Sequence, residues 1–439
     1  MKEHIDSIFI PSIGHWLDGK KPEQVARFCT DTRSLCPGDC YVALTDMRDG
    51  HIFLGDARTN GASCAIVSRP KPSIDLPQFV CDDPNVAMVK MAKLARSMFR
   101  GTMIAITGSF GKTTTKDILK LLLGIEKNVT LENKNGQRGV PMTLATVTNG
   151  ESFAVVEVGI DAISTMDRLV ELIVPHIAIL TGIGKIHMSG MGSESTIARE
   201  KSKLLEKAIK NNGHGIFPEE CLRFSACRKI QGHCRVVKEN GEDMCYHMAT
   251  KGDQYHVTVT FWGKDLTFAM PRLMSQGIVK NFVLACICAL ECGIGAANIQ
   301  KRISLWKPSK WRGEIIATTP RTYFADCYNA NFIAFANSLA QFDRLFPHGS
   351  RLFIIGALIR CEVGDGVIDD NATLFQNLPL RENDGVIVIG ESENFSMDTI
   401  NCDWKVFPSA SQAMEMVTNF HGVVYLKGHR IYGLESLIC

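Results

Sequence analysis

The sequence predicts a three-domain α/β protein. It comprises a small α/β N-terminal domain, a central domain with a mostly parallel sheet and a phosphate loop, and a Rossmann-like C-terminal domain. Three observations predict it. The chain has 439 residues, more than one hydrophobic core usually serves. Short apolar runs alternate with amphipathic helical patterns along most of its length, as where helices join parallel strands. A glycine-rich turn separates one such run from the helix that follows it.

Taken in order, residues 1–98 hold short strand candidates, CYVAL and CAIVS, between polar turns marked by PGD at 37–39 and DG at 49–50. Residues 99–318 open with MIAIT at 103–107, an unbroken apolar run of the kind a strand buried on both faces requires. FAVVEV at 153–158 and HIAIL at 176–180 repeat that pattern, with helical stretches such as STIAREKSKLLEKAIK between or after them. From about 229 to 271 shorter, polar-flanked strands (HVTVTF, LTFAM) form a β-rich extension of the same domain. Residues 319–439 alternate TYFAD, RLFIIG, GVIVIG and GVVYL with helices such as IAFANSLAQF and SASQAMEMV, a second and smaller doubly wound unit. Ligands usually bind in the clefts between such domains.

Composition narrows the function. Lys and Arg number 48 against 46 Asp and Glu, a net charge of +2, which excludes a chain-wide basic footprint for nucleic acid. The 16 cysteines contain no C-x-x-C pair, so neither a zinc knuckle nor a redox pair is indicated. Cys286, Cys288 and Cys292 lie in an apolar helical stretch and read as small core residues. The start, MKEHIDSIFIPSIGHW, lacks a secretory signal pattern, and FVLACICAL is too short to span a bilayer. A cytoplasmic protein in a reducing compartment is expected.

The turn G-S-F-G-K-T carries the chemistry. Gly108 and Gly111 let backbone N–H groups turn toward an anion, and the following helix adds its positive end. Ser109, Lys112, Thr113 and Thr114 complete a phosphate-binding set: Lys112 can reach outer phosphates, and the Thr113 hydroxyl can ligate Mg²⁺. The spacing departs from G-x-x-x-x-G-K-[ST], since Ile106 stands where the first glycine would be. Glu157 ends the next strand candidate, where its carboxylate could face the loop and hold Mg²⁺; a strand-end Glu can equally be a solvated edge residue.

The loop TGSFGKTTT resembles that of the Mur ligases, and the resemblance continues in order along nearly the whole chain. Within the family it is most similar to members that add D-alanyl-D-alanine to UDP-N-acetylmuramoyl-tripeptide. DTRSLCPGDCYVAL and DGHIF resemble the uridine-nucleotide domain, which implies substrate contacts at Thr32, Arg33, Asp49, Gly50 and His51. ENKNGQRGVPMTL implies further contacts at Asn133 and Asn135. VVEVG carries Glu157 on the metal-binding strand, and TGIGKIHMSGMGSESTIAREKSKL carries His187 and Lys201. In related ligases the matching lysine is carbamoylated, which turns a cation into an anion able to hold Mg²⁺. A solvent-facing lysine is the plain alternative.

The resemblance further implies ATP contacts at Asn281 of KNFVLACICAL, at Arg312 of WRGE, and at Asp326, Tyr328, Asn329 and Asn331 of ADCYNANF. LKGHR gives Lys427 and Arg430 on the substrate side. The implied enzyme is an ATP- and Mg²⁺-dependent carboxylate–amine ligase of peptidoglycan precursor synthesis, working through an acyl phosphate with two Mg²⁺ ions. Lys112, His187, Lys201 and Arg312 would serve catalysis, and Thr113, Glu157, His187 and Lys201 the metals. A monomer without nucleic-acid partners is expected.

Departures from the family pattern cluster. Gly136, Gly182 and Ser189 replace Asn, Asn and Glu, Ala357 and Arg360 replace an Asp and a Glu, and Phe332 and His429 stand for Pro and Ser. Arg360, gained where carboxylates are lost, becomes a candidate contact for the incoming amine substrate. Two other readings follow: a diverged ligase joining another carboxylate and amine in a specialised pathway, and a non-catalytic nucleotide-binding subunit. The intact Lys112, Thr113, Glu157, His187 and Lys201 argue against the last.

Overall fold

The computed structural model describes residues 6–45, 48–131, 134–186, 188–251, 254–328, 330, 332–356, 373–390 and 404–438. Among them three sheets follow one another along the chain, and parallel pairing dominates each. The first has β1 (His15–Trp16), β2 (Phe28–Cys29), β3 (Cys40–Val42), β4 (Cys64–Val67) and β5 (Gln78–Val80), in the order β1-β5-β4-β3-β2 with only the β1–β5 pair antiparallel.

The second sheet has β6 (Thr102–Thr107), β7 (Phe153–Glu157), β8 (Ile177–Leu180), β9 (His214–Pro218), β10 (Cys234–Glu239), β11 (Cys245–Lys251), β12 (Gln254–Phe261) and β13 (Lys264–Ala269). Its order, β13-β12-β11-β10-β9-β8-β6-β7, places β6 between β7 and β8. Successive connections from β6 thus leave to opposite sides, and a crevice opens beyond its carboxyl end. The unbroken apolar run of β6 has a direct cause: Ile104 and Ile106 enter one core, with the helices Lys112–Leu123 and Gln276–Glu291, while Met103 and Ala105 enter the core on the opposite face. Cys286 and Cys288 are fully buried in the first of these cores. The strands from 245 to 269 are antiparallel to one another and join the sheet through the parallel β10–β11 pair.

The third sheet has β14 (Glu314–Ala317), β15 (Arg321–Asp326), β16 (Arg351–Gly356), β17 (Gly385–Ile389), β18 (Trp404–Phe407) and β19 (Gly422–Lys427), in the order β14-β15-β19-β16-β17-β18. It begins at Glu314, ahead of residue 319 where the sequence pattern suggests a division, because β14 pairs with β15. β19 inserts between β15 and β16, a second reversal of strand order, and brings Lys427 beside Asp326 at the carboxyl ends. Among the described residues no helix is long and apolar enough to cross a membrane.

Candidate active site

The phosphate loop leaves the carboxyl end of β6 and enters the helix Lys112–Leu123. Two glycines are required there. Gly108 has φ +153° and Gly111 φ +77°. A Cβ on Gly108 would lie 2.0 Å from Thr181 Oγ1, and one on Gly111 would lie 2.4 Å from Asn281 Oδ1. The loop is stitched to the segment after β8: Ser109 N–H donates to the Gly182 carbonyl (2.8 Å), Gly184 N–H donates to Ser109 Oγ (3.0 Å), and Thr181 Oγ1 donates to the Phe110 carbonyl. Phe110 fills the room above Gly182, where a Cβ would be 2.6 Å from its ring.

Charged and polar groups converge on the first turn of the helix. Lys112 Nζ donates to the Gly108 carbonyl at 2.8 Å. Thr113 Oγ1 donates to Glu157 Oε1 at 3.1 Å, and Asn135 Nδ2 donates to the same oxygen at 2.7 Å. Glu157 is only 3% exposed, so it is no solvated edge residue. Arg312 Nη2 stands 3.4 Å from Thr113 Oγ1, and its guanidinium lies 4.1 Å over the Tyr328 ring. Asn281 is buried in the second turn of the helix Gln276–Glu291, against the loop. At the end of the third sheet, buried Lys427 donates to Asp326 Oδ2 at 2.7 Å.

These groups line one cavity of about 1480 Å³. Ser109, Gly111, Lys112, Thr113, Thr114, Asn135, Glu157, Asn281, Arg312, Asp326, Tyr328 and Lys427 all border it, and Val42, Leu44, Met88 and Lys93 bring the first unit to its wall.

Other sequence candidates lie apart from this cavity wall. Arg33 is exposed and bonded to Asp31 at 2.9 and 2.7 Å, and the Thr32 carbonyl accepts from Asn60 Nδ2 at 3.0 Å. The His51 ring is buried. Its Nε2 accepts from the Ser68 and Arg69 N–H groups (3.0 and 3.2 Å), so Nδ1 carries the proton and donates to Asp49 Oδ1 at 2.7 Å. This bond, first of its causes, holds the Asp49 carboxyl down to about 2. The Gly50 carbonyl accepts from Tyr41 Oη. Arg430 is exposed in a short 3-10 turn. Asn133, His187, Asn329, Asn331, Ala357 and Arg360 lie outside the described residues.

Lys201 differs from every other lysine in the sequence set. It is fully buried in the helix Glu194–Lys210, and its Nζ has no hydrogen-bond partner among the described residues. Burial first, and the charge of Lys112 second, push its pKa well below the ordinary lysine value. An orphaned, readily neutral amine fits a group that is to become a carbamate. The Thr113 hydroxyl and Glu157 carboxylate are hard oxygen donors suited to Mg²⁺. Among the described residues no group of three or more His, Cys, Asp or Glu side chains is placed to hold a metal ion.

Sequence reasoning missed Lys116. Its buried ammonium lies 3.7 Å from Glu157 Oε2 and donates to the Thr130 carbonyl at 3.0 Å. Its position four residues after Lys112, one helical turn along, was the available signal.

The sequence model of the Mur ligase middle domain matches residues 106–289. The UDP-N-acetylmuramoyl-tripeptide–D-alanyl-D-alanine ligase of Synechocystis sp. is 35% identical over 365 residues, covering 78% of this chain and 74% of its own. The ligase of the same description from Escherichia coli is 35% identical over 338 residues, covering 74% of this chain and 73% of its own. Among solved structures, MurF from Acinetobacter baumannii superposes with a TM-score of 0.78 at 24% identity, covering 97% of this chain and 95% of that one. MurF from Thermotoga maritima in complex with ADP gives 0.75 at 22% identity, covering 94% and 96%. The structural likeness concerns the fold, whereas the sequence identity extends over most of both chains: this chain belongs to the Mur ligase family.

Proposed function

We propose that the chain is an ATP-dependent ligase that activates the terminal carboxylate of UDP-N-acetylmuramoyl-tripeptide as an acyl phosphate and joins it to D-alanyl-D-alanine. The observation that carries this reading is the meeting of Lys112, Thr113, Glu157, Asn281 and Arg312, from four separate segments, on one cavity that the first and third units also border. The names of the relatives supply the substrates. The working parts are residues 1–98 for the nucleotide-sugar substrate, 99–318 for ATP and 319–439 as the ligase domain, in a monomer.

In the reaction, a carboxylate oxygen of the substrate attacks the γ-phosphorus of ATP, and the bond to the bridging oxygen breaks to leave ADP. The amine then attacks the acyl carbonyl, phosphate departs, and the amine loses a proton. Lys112 and Arg312 neutralise charge on the phosphoryl group in flight, and the N-terminus of the helix Lys112–Leu123 adds to the field. Thr113 and Glu157 would hold one Mg²⁺ ion, and His187 with carbamoylated Lys201 a second; when bound, Mg²⁺ supplies Lewis-acid neutralisation of the triphosphate. The Lys201 carbamate forms when its neutral amine adds to CO₂ and releases a proton. Asn281, Asp326, Tyr328, Asn329 and Asn331 attend the nucleotide, and Thr32, Arg33 and the 49–51 turn the uridine sugar.

The test is phosphate release with ATP, UDP-N-acetylmuramoyl-tripeptide and D-alanyl-D-alanine, each omitted in turn. Turnover that needs all three is expected, and phosphate release indifferent to the nucleotide sugar would sink the reading. A second reading, a different amine acceptor, rests on Ala357 and Arg360, which replace two family carboxylates. A guanidinium there favours an amine substrate with a free carboxylate, and a panel of acceptors against wild type and Ala357→Asp/Arg360→Glu decides it.

A further inference from the structure

The segment leading from the helix Ala296–Ile303 into β14 runs back along the phosphate-loop helix, and three polar contacts fasten it there. Arg302 Nη1 donates to the Leu122 carbonyl at 2.5 Å, Ser309 Oγ donates to Asp117 Oδ2 at 2.5 Å, and Arg312 Nη2 donates to Thr113 Oγ1 at 3.4 Å. As the segment climbs from 302 to 312, its partners descend from 122 to 113. Thr113 and Asp117 are one helical turn apart, hence on one face.

Just before Arg312 the backbone is held in a costly shape. Trp311 has φ +58°, the left-handed region that bulky residues avoid. Such a conformation persists only where its surroundings over-determine it. Here Arg312 N–H donates to the Ser309 carbonyl (3.0 Å), Trp311 N–H to Glu314 Oε2 (3.1 Å) and Tyr328 N–H to the Trp311 carbonyl (3.2 Å). Ser309 therefore grips the turn through its carbonyl and the phosphate-loop helix through its hydroxyl. Asp117 is in turn braced by buried Lys116, whose Nζ lies 3.2 Å from Asp117 Oδ1 and 3.7 Å from Glu157 Oε2.

We propose that the Asp117–Ser309 hydrogen bond is a clasp that aims Arg312 at the phosphate loop, making Asp117 and Ser309 positioning residues for phosphoryl transfer. The proposal rests on the ligase reading above. With the clasp open, the turn at Trp311 is free to relax and the guanidinium leaves the direction in which it meets the outer phosphate. Lys116 joins the same clasp to the carboxylate of Glu157, so the arginine and the acid share one support.

Equilibrium binding of ADP and of a non-hydrolysable ATP analogue to the full chain tests this, with wild type, Ser309→Ala, Ser309→Thr, Arg312→Ala and the Ser309→Ala/Arg312→Ala double variant. Loss of a charge-assisted hydrogen bond predicts analogue binding weaker by roughly tenfold in Ser309→Ala. ADP binding should stay within about twofold, and Ser309→Thr, which keeps the hydroxyl, near wild type. In the Arg312→Ala background the serine change should add nothing, because the arginine it aims is gone. Additive losses, or equal weakening for both nucleotides, would reduce Ser309 to a purely structural role and overturn the clasp. A wild-type chain that binds neither nucleotide would instead overturn the ligase reading on which the clasp depends. Melting curves accompany each variant; if Ser309→Ala does not fold, Asp117→Ala removes the same bond from the other side and is judged by the same criteria.

Discussion

At the phosphate loop, Thr113 and Asn135 find partners far along the chain, whereas in the first unit Arg33 and the Nδ1 of His51 find theirs two residues away. Thr113 meets Glu157 and Arg312, and Asn135 also meets Glu157. Arg33 meets Asp31, and His51 meets Asp49. Both regions present polar residues on short turns, and in a sequence they look alike. The folded chain separates them by how the groups are used. His51 spends both ring nitrogens on its own loop and on Ser68 and Arg69. Lys201 spends nothing on the described residues and lies buried beside the field of Lys112. A buried polar group that the fold leaves unsatisfied costs stability, so its presence points to a use, and a satisfied one needs no other explanation.

The largest expected effect belongs to the first region. Lys112→Ala should lower ligase turnover on the order of 10²-fold or more while the melting temperature stays close to wild type, since the side chain stabilises phosphate charge rather than core packing. Near-normal phosphate release from the folded variant would break the comparison at its stronger end. Next comes Lys201→Ala. Turnover should fall by roughly tenfold or more, and short carboxylates such as acetate should restore part of it by entering the space of the missing carbamate. Mass spectrometry under bicarbonate would expose the alternative, an active enzyme with unmodified Lys201.

His51→Ala should behave in the opposite manner. It strips the acceptor from two backbone N–H groups and removes a buried ring, so stability should drop by about 1–3 kcal/mol while ADP affinity is unchanged. Chemical denaturation and calorimetry read the two quantities. A variant of normal stability that has lost affinity for the nucleotide sugar would move His51 from the loop's own structure to the ligand.

Much of this arrangement was legible beforehand. The core strands of the second and third sheets announce themselves as unbroken apolar runs because both faces are covered. β14 and β18 do not, since each is an edge strand with partly exposed residues and no such run. The burial of Lys201 was within reach: Ile197, Lys201, Leu204, Leu205 and Ala208 form one stripe of the helix, with a lysine where a core residue belongs. The closed circuit of Asp49, His51, Ser68 and Arg69 was not, because nothing local says that residues 68 and 69 return to a ring at 51. The clasp at Asp117 and Ser309 was hidden for the same reason, as 192 residues separate its ends.

The smallest effect sharpens the comparison through pH. Both regions hold a group whose pKa is lowered, and both make stability rise with pH, but in separate windows. Asp49 is held near 2 against an ordinary 3.8. Between those values the unfolded chain carries the extra proton, so the stabilisation is complete above about 3.8 and is lost as pH falls through 2. Lys201 is lowered well below 10.5 by burial. The unfolded chain keeps that proton up to 10.5 while the folded chain has already released it, so stability climbs from the folded value toward 10.5. In CO₂-free buffer, Lys201→Met should flatten the neutral-to-alkaline slope and leave the acid limb untouched, whereas Asp49→Asn should soften the acid limb alone. Denaturant titrations across pH measure both. If Lys201→Met keeps the wild-type slope above neutrality, the buried amine is not the group that titrates there, and the unspent character assigned to Lys201 fails with it.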